Sequence, residues 1–263
     1  MKTNQQLSGK GNDDFLFIRM LPNIFTTMGM CIGITGIRYG IEQDWKSAVI
    51  CILIAAFFDL IDGLSARILK VTSQVGAELD SLSDAVSFGV TPAVILYLWL
   101  SAMTGSENYY LMGWYWIPFV FYSSCCVLRL ARFNVLSRSK NNVTTKNNNF
   151  FVGVPSPAGA IMLLAPIIFE INFRRFGYDN TEIFKPLVIS AWVMLVSSLM
   201  VSRIPTMSLK SINYRISNRK AIFVFVGVIL SVAIILREQW LSLAVAILLY
   251  LFSLPLYVIH LKK

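Results

Sequence analysis

Long apolar stretches separated by short polar or basic segments run through the whole of this 263-residue chain. A hydrocarbon core about 30 Å thick needs about 20 apolar residues per helix. Eight stretches reach or approach that length: Pro22–Gly40, Trp45–Ile68, Ser83–Met103, Trp114–Phe133, Ser156–Phe173, Pro186–Val201, Ala221–Leu236 and Leu241–His260. The sixth and seventh are short. The pattern predicts an all-α, polytopic transmembrane helix bundle of about eight spans, forming one domain over residues 1–263. Residues 1–14 are polar and read as a flexible tail. Phe15–Met20 reads as a short N-terminal interfacial helix, with Pro22 opening the first span. The apolar region begins late and lacks a small-residue cleavage pattern, so no signal peptide is expected.

Composition supports a membrane protein. Hydrophobic residues make up 56% of the chain and charged ones 14%, against about 45–50% and about 25% in soluble domains. The basic residues sort by loop. With the N-terminus inside, sixteen Lys and Arg fall in inner segments and six in outer ones. That bias predicts that both termini face the cytoplasm. It also accounts for the net charge of +9 without invoking nucleic acid, because the basic residues are spread over several membrane-flanking loops. A bacterial or archaeal cytoplasmic membrane is the expected location. Asn141–Asn149 is Asn-rich and reads as a flexible inner loop.

Other residues exclude whole classes of chemistry. His260 is the single histidine, too few for a Ser–His–Asp hydrolase or a histidine-rich metal site. No P-loop motif is present. Cys31, Cys51, Cys125 and Cys126 fall in apolar stretches with no C-x-x-C spacing, so small apolar roles are expected rather than a disulfide framework.

The informative segment runs from Asp59 to Asp84. Asp59 and Asp62 are spaced i, i+3, and Asp80 and Asp84 i, i+4, so each pair shares one helical face. Val71–Ala77 could form a turn that lets the two faces meet. An aspartate at the centre of a membrane helix costs about 2.5–3.5 kcal/mol, so four cannot face lipid. They must face a watery cavity, a cation, or both. Hard oxygen ligands suit Mg²⁺, Mn²⁺ or Ca²⁺ rather than Zn²⁺. Four carboxylates could hold two such ions and neutralise a phosphate. Gly63, Ala66 and Gly76 are small enough to admit a helix or a phosphate close to the backbone. Arg67, at the inner end of the second stretch, could pair with a diphosphate or simply anchor that end.

These residues spell D-x2-D-G-x2-A-R-x8-G-x3-D-x3-D, with every defined position present. The motif resembles the signature of the CDP-alcohol phosphatidyltransferases and covers 26 residues, Asp59 to Asp84. The resemblance implies an integral membrane enzyme, usually a homodimer, that transfers a phosphatidyl group from CDP-diacylglycerol to an alcohol and releases CMP. It implies that Asp59, Asp62, Asp80 and Asp84 hold divalent metal, Mg²⁺ or Mn²⁺ and two ions in number. Asp84 would also be the general base. Gly63, Ala66, Arg67 and Gly76 would lie against the CDP headgroup.

Weaker marks point to an acceptor. Leu21-Pro22-Asn23-Ile24-Phe25-Thr26, Leu130-Ala131-Arg132-Phe133-Asn134 and Gly153-Val154-Pro155-Ser156-Pro157-Ala158 resemble the branch of the family that uses L-serine. Val154 departs from the commoner Leu. Asn23 and Thr26 either touch the nucleotide or cap the first helix. Arg129, Arg132, Asn134 and Ser156 are acceptor-binding candidates, since arginine suits a carboxylate. Against that, Arg132 sits where inner-face positive charge is common anyway, and Ser156 could serve near a helix cap. The alternatives are the same chemistry on choline, glycerol 3-phosphate or inositol phosphate, and, in another class, a cation-coupled transporter.

Overall fold

The computed structural model describes residues 6–69, 73–104, 109–140, 151–178, 184–202, 205–206 and 237–261. These residues are helical except for loops, turns and one two-residue antiparallel pairing, β1 (Phe151–Val152) with β2 (Pro205–Thr206). The chain divides into two compact units, residues 1–102 and 103–263.

Four helical stretches among the described residues are long and apolar enough to cross a membrane: Met20–Ile41, Trp45–Ile68, Gln74–Thr104 and Gly113–Leu136. A fifth is added if Ser156–Leu163 and Ala165–Arg175, bent by 44°, form one span. Pro186–Val201 and Gln239–Ser253 are shorter apolar helices. Among the described residues the fold is therefore all-α, with four to five candidate spans. The seventh apolar stretch, Ala221–Leu236, and the Asn-rich loop 141–149 lie outside the described residues.

In the first unit, α1 (Gln6–Ile41) is one continuous helix. Residues 6–14, expected as tail, are its first turns, and Phe15–Met20 continues into the span without a break. Pro22 lies inside α1 rather than opening it. A proline there removes one backbone donor and leaves a carbonyl without its helical partner. The helix α2 (Trp45–Ile68) coincides with the expected second span. Gln43 takes a positive φ of 60°, and Asp44 then caps α2. Its carboxylate accepts from Ser47 N at 3.2 Å and from Ser47 Oγ at 2.6 Å.

Those two bonds stabilise the ionised form and hold the Asp44 carboxyl below its usual 3.8. Asp44→Ala should destabilise the fold by about 1 kcal/mol at neutral pH. A carboxyl whose pKa is lowered on folding adds stability above its unfolded value and loses it as pH falls through the folded one. The gap in Tm between wild type and variant should therefore be full at pH 7 and shrink below pH 4. An equal gap at both would exclude the ionised cap.

Helix α1 packs through small residues: Gly29, Gly33, Gly36 and Gly40 are buried on one face, Gly29 and Gly36 against α2, Gly33 against Ser87 and Gly40 against Ile95 and Leu98. A Cβ at Gly36 would lie 3.2 Å from the Ala48 carbonyl oxygen, and one at Gly33 3.0 Å from Ser87 Oγ. This close approach is the usual way membrane helices gain van der Waals contact. The third span is not uniform. It runs from α3 (Gln74–Asp84) through a π-helical turn (Ala85–Val90) into α4 (Thr91–Thr104). Of the expected turn over Val71–Ala77, the first two residues lie outside the described ones and residues 74–77 are helical, because Ser73 caps α3 and its Oγ accepts from Gly76 N at 2.9 Å. Helix therefore begins at Gln74, nine residues ahead of the expected Ser83.

In the second unit, α5 (Tyr109–Lys140) packs on α8 (Pro186–Val201), and α7 (Ala165–Arg175) on α9 (Gln239–Leu261). The expected fifth span is broken between α6 (Ser156–Leu163) and α7, where Pro166 follows Leu164 and Ala165. Polar contacts tie the helices together. Trp192 Nε1 donates to the Met162 carbonyl at 3.0 Å, and Asn172 Nδ2 to the Trp240 carbonyl at 2.9 Å. Cys51, Cys125 and Cys126 are buried, Cys31 is exposed, and all four are free thiols.

Candidate active site

The first unit brings the acidic residues together. The i, i+3 spacing puts Asp59 and Asp62 on one face of α2. Phe57, Leu60 and Leu64 lie on its exposed side, at 59%, 62% and 55%. Asp80 and Asp84 follow on α3, whose start is set by the Ser73 cap. One carboxylate oxygen from each of Asp59, Asp62 and Asp80 lies within 4.8 Å of the others. Asp84 joins through Asp59, since their carboxyl groups are within hydrogen-bonding reach of each other. Two carboxyls that close need a proton or a cation between them.

Asp62 is the most enclosed of the set, 4% exposed. The Thr26 hydroxyl and the Gly63 amide lie against its carboxylate, yet Oδ2 has no hydrogen-bond partner. A buried carboxylate oxygen left that way is costly unless something else satisfies it. All three aspartates of the cluster offer hard oxygen donors, which suit a divalent cation such as Mg²⁺ or Mn²⁺.

A cavity of about 170 Å³ opens beside the cluster. Its wall is Pro22, Asn23 and Thr26 from α1, Asp62, Gly63 and Ala66 from α2, and Ser73, Gly76, Ala77 and Asp80 around the start of α3. The small residues make the room. A Cβ at Gly63 would meet no atom within 4 Å, whereas one at Gly76 would lie 2.9 Å from both Asn23 Oδ1 and Ser73 Oγ. Neither Asn23 nor Thr26 caps a helix, because both lie within α1. Thr26 Oγ1 donates to the Pro22 carbonyl at 3.0 Å, and Ser83 Oγ donates to the Thr26 carbonyl at 3.2 Å, tying α3 to α1. Arg67 is exposed in the last turn of α2 and does not line the cavity.

Sequence reasoning missed Ser73 and Ala77 in this wall. Ser73 carried a signal: a serine directly ahead of a helical run is an N-cap pattern, here without the Glu or Gln three residues on that would strengthen it. A second, smaller cavity of about 10 Å³ adjoins Asp59, Asp62 and Asp84. It is also lined by Ser83, an undefined position of the motif, and by Ser87 and Phe88, which follow it.

The acceptor candidates belong to the second unit and are described within it. Arg129 Nη1 donates to Ser156 Oγ, and Ser156 is buried in the first turn of α6. Arg132 Nη1 donates to the Val201 carbonyl at 3.3 Å, at the C-terminal end of α8. That is where a cation also meets the negative end of a helix. Asn134 is half-buried on α5. Gly153 has a φ of +84°, and a Cβ there would lie 2.8 Å from the Met200 carbonyl oxygen. The Gly153–Val154–Pro155 segment thus seats against the end of α8 only because glycine stands first.

Comparison with known proteins agrees with the motif. The profile of the family described as CDP-alcohol phosphatidyltransferase matches residues 19–203. A Mycobacterium leprae CDP-diacylglycerol–serine O-phosphatidyltransferase is 35% identical over 243 residues, covering 92% of this chain and 75% of the relative. The protein of the same name from Helicobacter pylori strain 26695 is 27% identical over 223 residues, 85% of each. That from Bacillus subtilis is 29% identical over 190 residues, 70% of this chain and 88% of the relative.

Proposed function

The chain belongs to the CDP-alcohol phosphatidyltransferase family, and on that premise we propose that it transfers the phosphatidyl group of CDP-diacylglycerol to the hydroxyl of L-serine, giving phosphatidylserine and CMP. The observation that carries the reaction class is the Asp59–Asp62–Asp80 cluster, with ligand atoms within 4.8 Å and two of its members in the cavity wall. Serine is favoured over choline, glycerol 3-phosphate and inositol phosphate by the shared name of the relatives. Family membership sets the transporter reading aside.

Asp59, Asp62, Asp80 and Asp84 would together hold the divalent metal, Mg²⁺ or Mn²⁺ and two ions in number. Bound there, it would offset the charge of the diphosphate and of the departing CMP oxygen. The rest falls to the chain. Asp84 takes the proton from the serine hydroxyl as its oxygen attacks the phosphatidyl phosphorus. The bond from that phosphorus to the CMP oxygen breaks, and CMP leaves with the electron pair. Gly63, Ala66 and Gly76 let the headgroup lie against the backbone, with Asn23 and Thr26 facing it from α1. Arg67, exposed at the end of α2 outside the cavity wall, would have to turn inward to meet the diphosphate. Arg129, Arg132, Asn134 and Ser156, all in the second unit, are the acceptor-binding candidates, since arginine suits the carboxylate of serine.

This reading has the chain as a single catalytic domain of about eight spans, assembled as a homodimer in a bacterial or archaeal cytoplasmic membrane. Both termini and the site face the cytoplasm, supported by the sixteen-to-six bias of basic residues toward inner segments.

The test is CMP release by purified protein in detergent with CDP-diacylglycerol and Mg²⁺ or Mn²⁺, supplying one alcohol at a time. Release is expected with serine and not with choline, glycerol 3-phosphate or inositol phosphate. Release with another alcohol alone would overturn the acceptor and leave the reaction class.

Gly63→Ala separates the cavity from the fold. The added methyl would meet no protein atom, and alanine is favoured over glycine in a helix by about 1 kcal/mol. Tm should therefore hold or rise. The methyl would project into space meant for the nucleotide, so KM for CDP-diacylglycerol should rise about tenfold, an effect of about 1.4 kcal/mol. An unchanged KM would mean that the headgroup lies elsewhere.

A further inference from the structure

The π-helical turn after Asp84 carries a buried hydroxyl with no evident purpose. Ser87 is 2% exposed, and its Oγ has no hydrogen-bond partner. A serine in a helix usually returns its proton to the carbonyl one turn back, as Ser81 does to Ala77 at 3.0 Å. Ser87 does not. The wider π turn, Ala85–Val90, begins directly after Asp84, so Ser87 stands three residues from that carboxylate. Turns of this kind cluster at functional sites.

Ser87 lines the small cavity of about 10 Å³ together with Asp59, Asp62 and Asp84. Two further buried polar atoms of this unit lack a partner, Thr91 Oγ1 and Asp62 Oδ2, and of the two only Asp62 belongs to the same wall. The Ser87 hydroxyl is a donor and Asp62 Oδ2 an acceptor. The volume is about that needed for a single water, which usually serves otherwise unsatisfied buried groups. Apolar packing does not account for the arrangement. Helix α1 approaches Ser87 so closely that a Cβ at Gly33 would sit 3.0 Å from its Oγ, and that crowding leaves the hydroxyl little space except the cavity.

We propose that Ser87 is a positioning residue of the acidic site, its hydroxyl holding the Asp62 carboxylate through one buried water in the small cavity. Ser87 O–H donates to the water, and the water donates to Asp62 Oδ2. The carboxylate is then fixed in orientation from behind while its other oxygen faces the cluster. Partners that orient a ligand in this way commonly change metal affinity by about 10–100-fold when removed. The inference rests on the metal-site reading above.

The test compares wild type, Ser87→Ala and Ser83→Ala for Mn²⁺ affinity by electron paramagnetic resonance and for Tm, without substrate. Ser83 is a buried serine in the same wall whose hydroxyl is already engaged by the Thr26 carbonyl. Ser87→Ala should raise the Mn²⁺ Kd by about tenfold, with Tm level or lower. Ser83→Ala should lower Tm with little change in Kd. If the Ser87 hydroxyl were idle, its removal would relieve a buried unsatisfied group. Tm would then rise while Kd stayed fixed, and that result would overturn the proposal. A lower Tm with unchanged Kd would reduce Ser87 to a packing residue and overturn it equally. Failure of the wild type itself to bind Mn²⁺ would bring down the metal-site reading and this inference with it. High-resolution density in the wild type supplies the check independent of any variant: a water peak between Ser87 Oγ and Asp62 Oδ2 is expected, and an empty cavity would contradict it.

Discussion

Asp62→Asn is expected to lower kcat/KM by about 10³-fold or more, a loss of about 4 kcal/mol in transition-state stabilisation. Asp62 borders both cavities and stands in the three-carboxylate cluster. Asparagine preserves the shape and removes the charge. The fold should survive, because asparagine keeps an oxygen for the Thr26 hydroxyl and the Gly63 amide that lie against this group, and the change removes a charge from a side chain only 4% exposed. Tm in the absence of metal should therefore hold or rise while Mn²⁺ binding weakens. Activity within about tenfold of wild type would rule out Asp62 as a metal ligand.

The second large effect is expected at Asp84. General-base catalysis typically contributes about 10²–10⁴-fold, so Asp84→Asn should lower kcat by that range. KM for serine should change little, because the proton is taken in the transition state and not on binding. Asp84 lies outside the tightest three-carboxylate group and meets Asp59 instead. Its replacement should therefore weaken Mn²⁺ binding less than that of Asp62. A variant that lost metal as completely as Asp62→Asn, and regained its rate at saturating Mn²⁺, would show Asp84 to be a ligand without a role in proton transfer.

These expectations rest on features that were unequally legible in the sequence. The extents of α2 and α8 follow from composition alone, since Asp44 and Gln43 stop any helix before Trp45 and Pro186 starts one. That the acidic faces of α2 and α3 meet was legible because carboxylates at helical spacing must find company in a membrane. What was not legible depends on contacts between segments. Pro22 reads locally as a helix opener, yet the structure carries helix through it. The π turn has no local signature. Within it Ser87 lies against Gly33, on a helix more than fifty residues earlier in the chain. The glycines at 29, 33, 36 and 40 did carry a signal, since small residues recurring every third or fourth position mark a close helix contact. The acceptor candidates are the least legible. Arginine at the inner end of a span is expected for topology alone, and in the structure Arg132 meets the end of α8.

The central claim is that the acidic face shared by α2 and α3 binds the divalent metal of phosphatidyl transfer. Anomalous diffraction from crystals grown with Mn²⁺ and CDP-diacylglycerol tests it most directly. The account expects a manganese peak among Asp59, Asp62 and Asp80, with the CDP diphosphate beside it and the headgroup in the cavity by Gly63 and Gly76. Manganese located away from these carboxylates, or CDP bound without metal between them and the diphosphate, would contradict it.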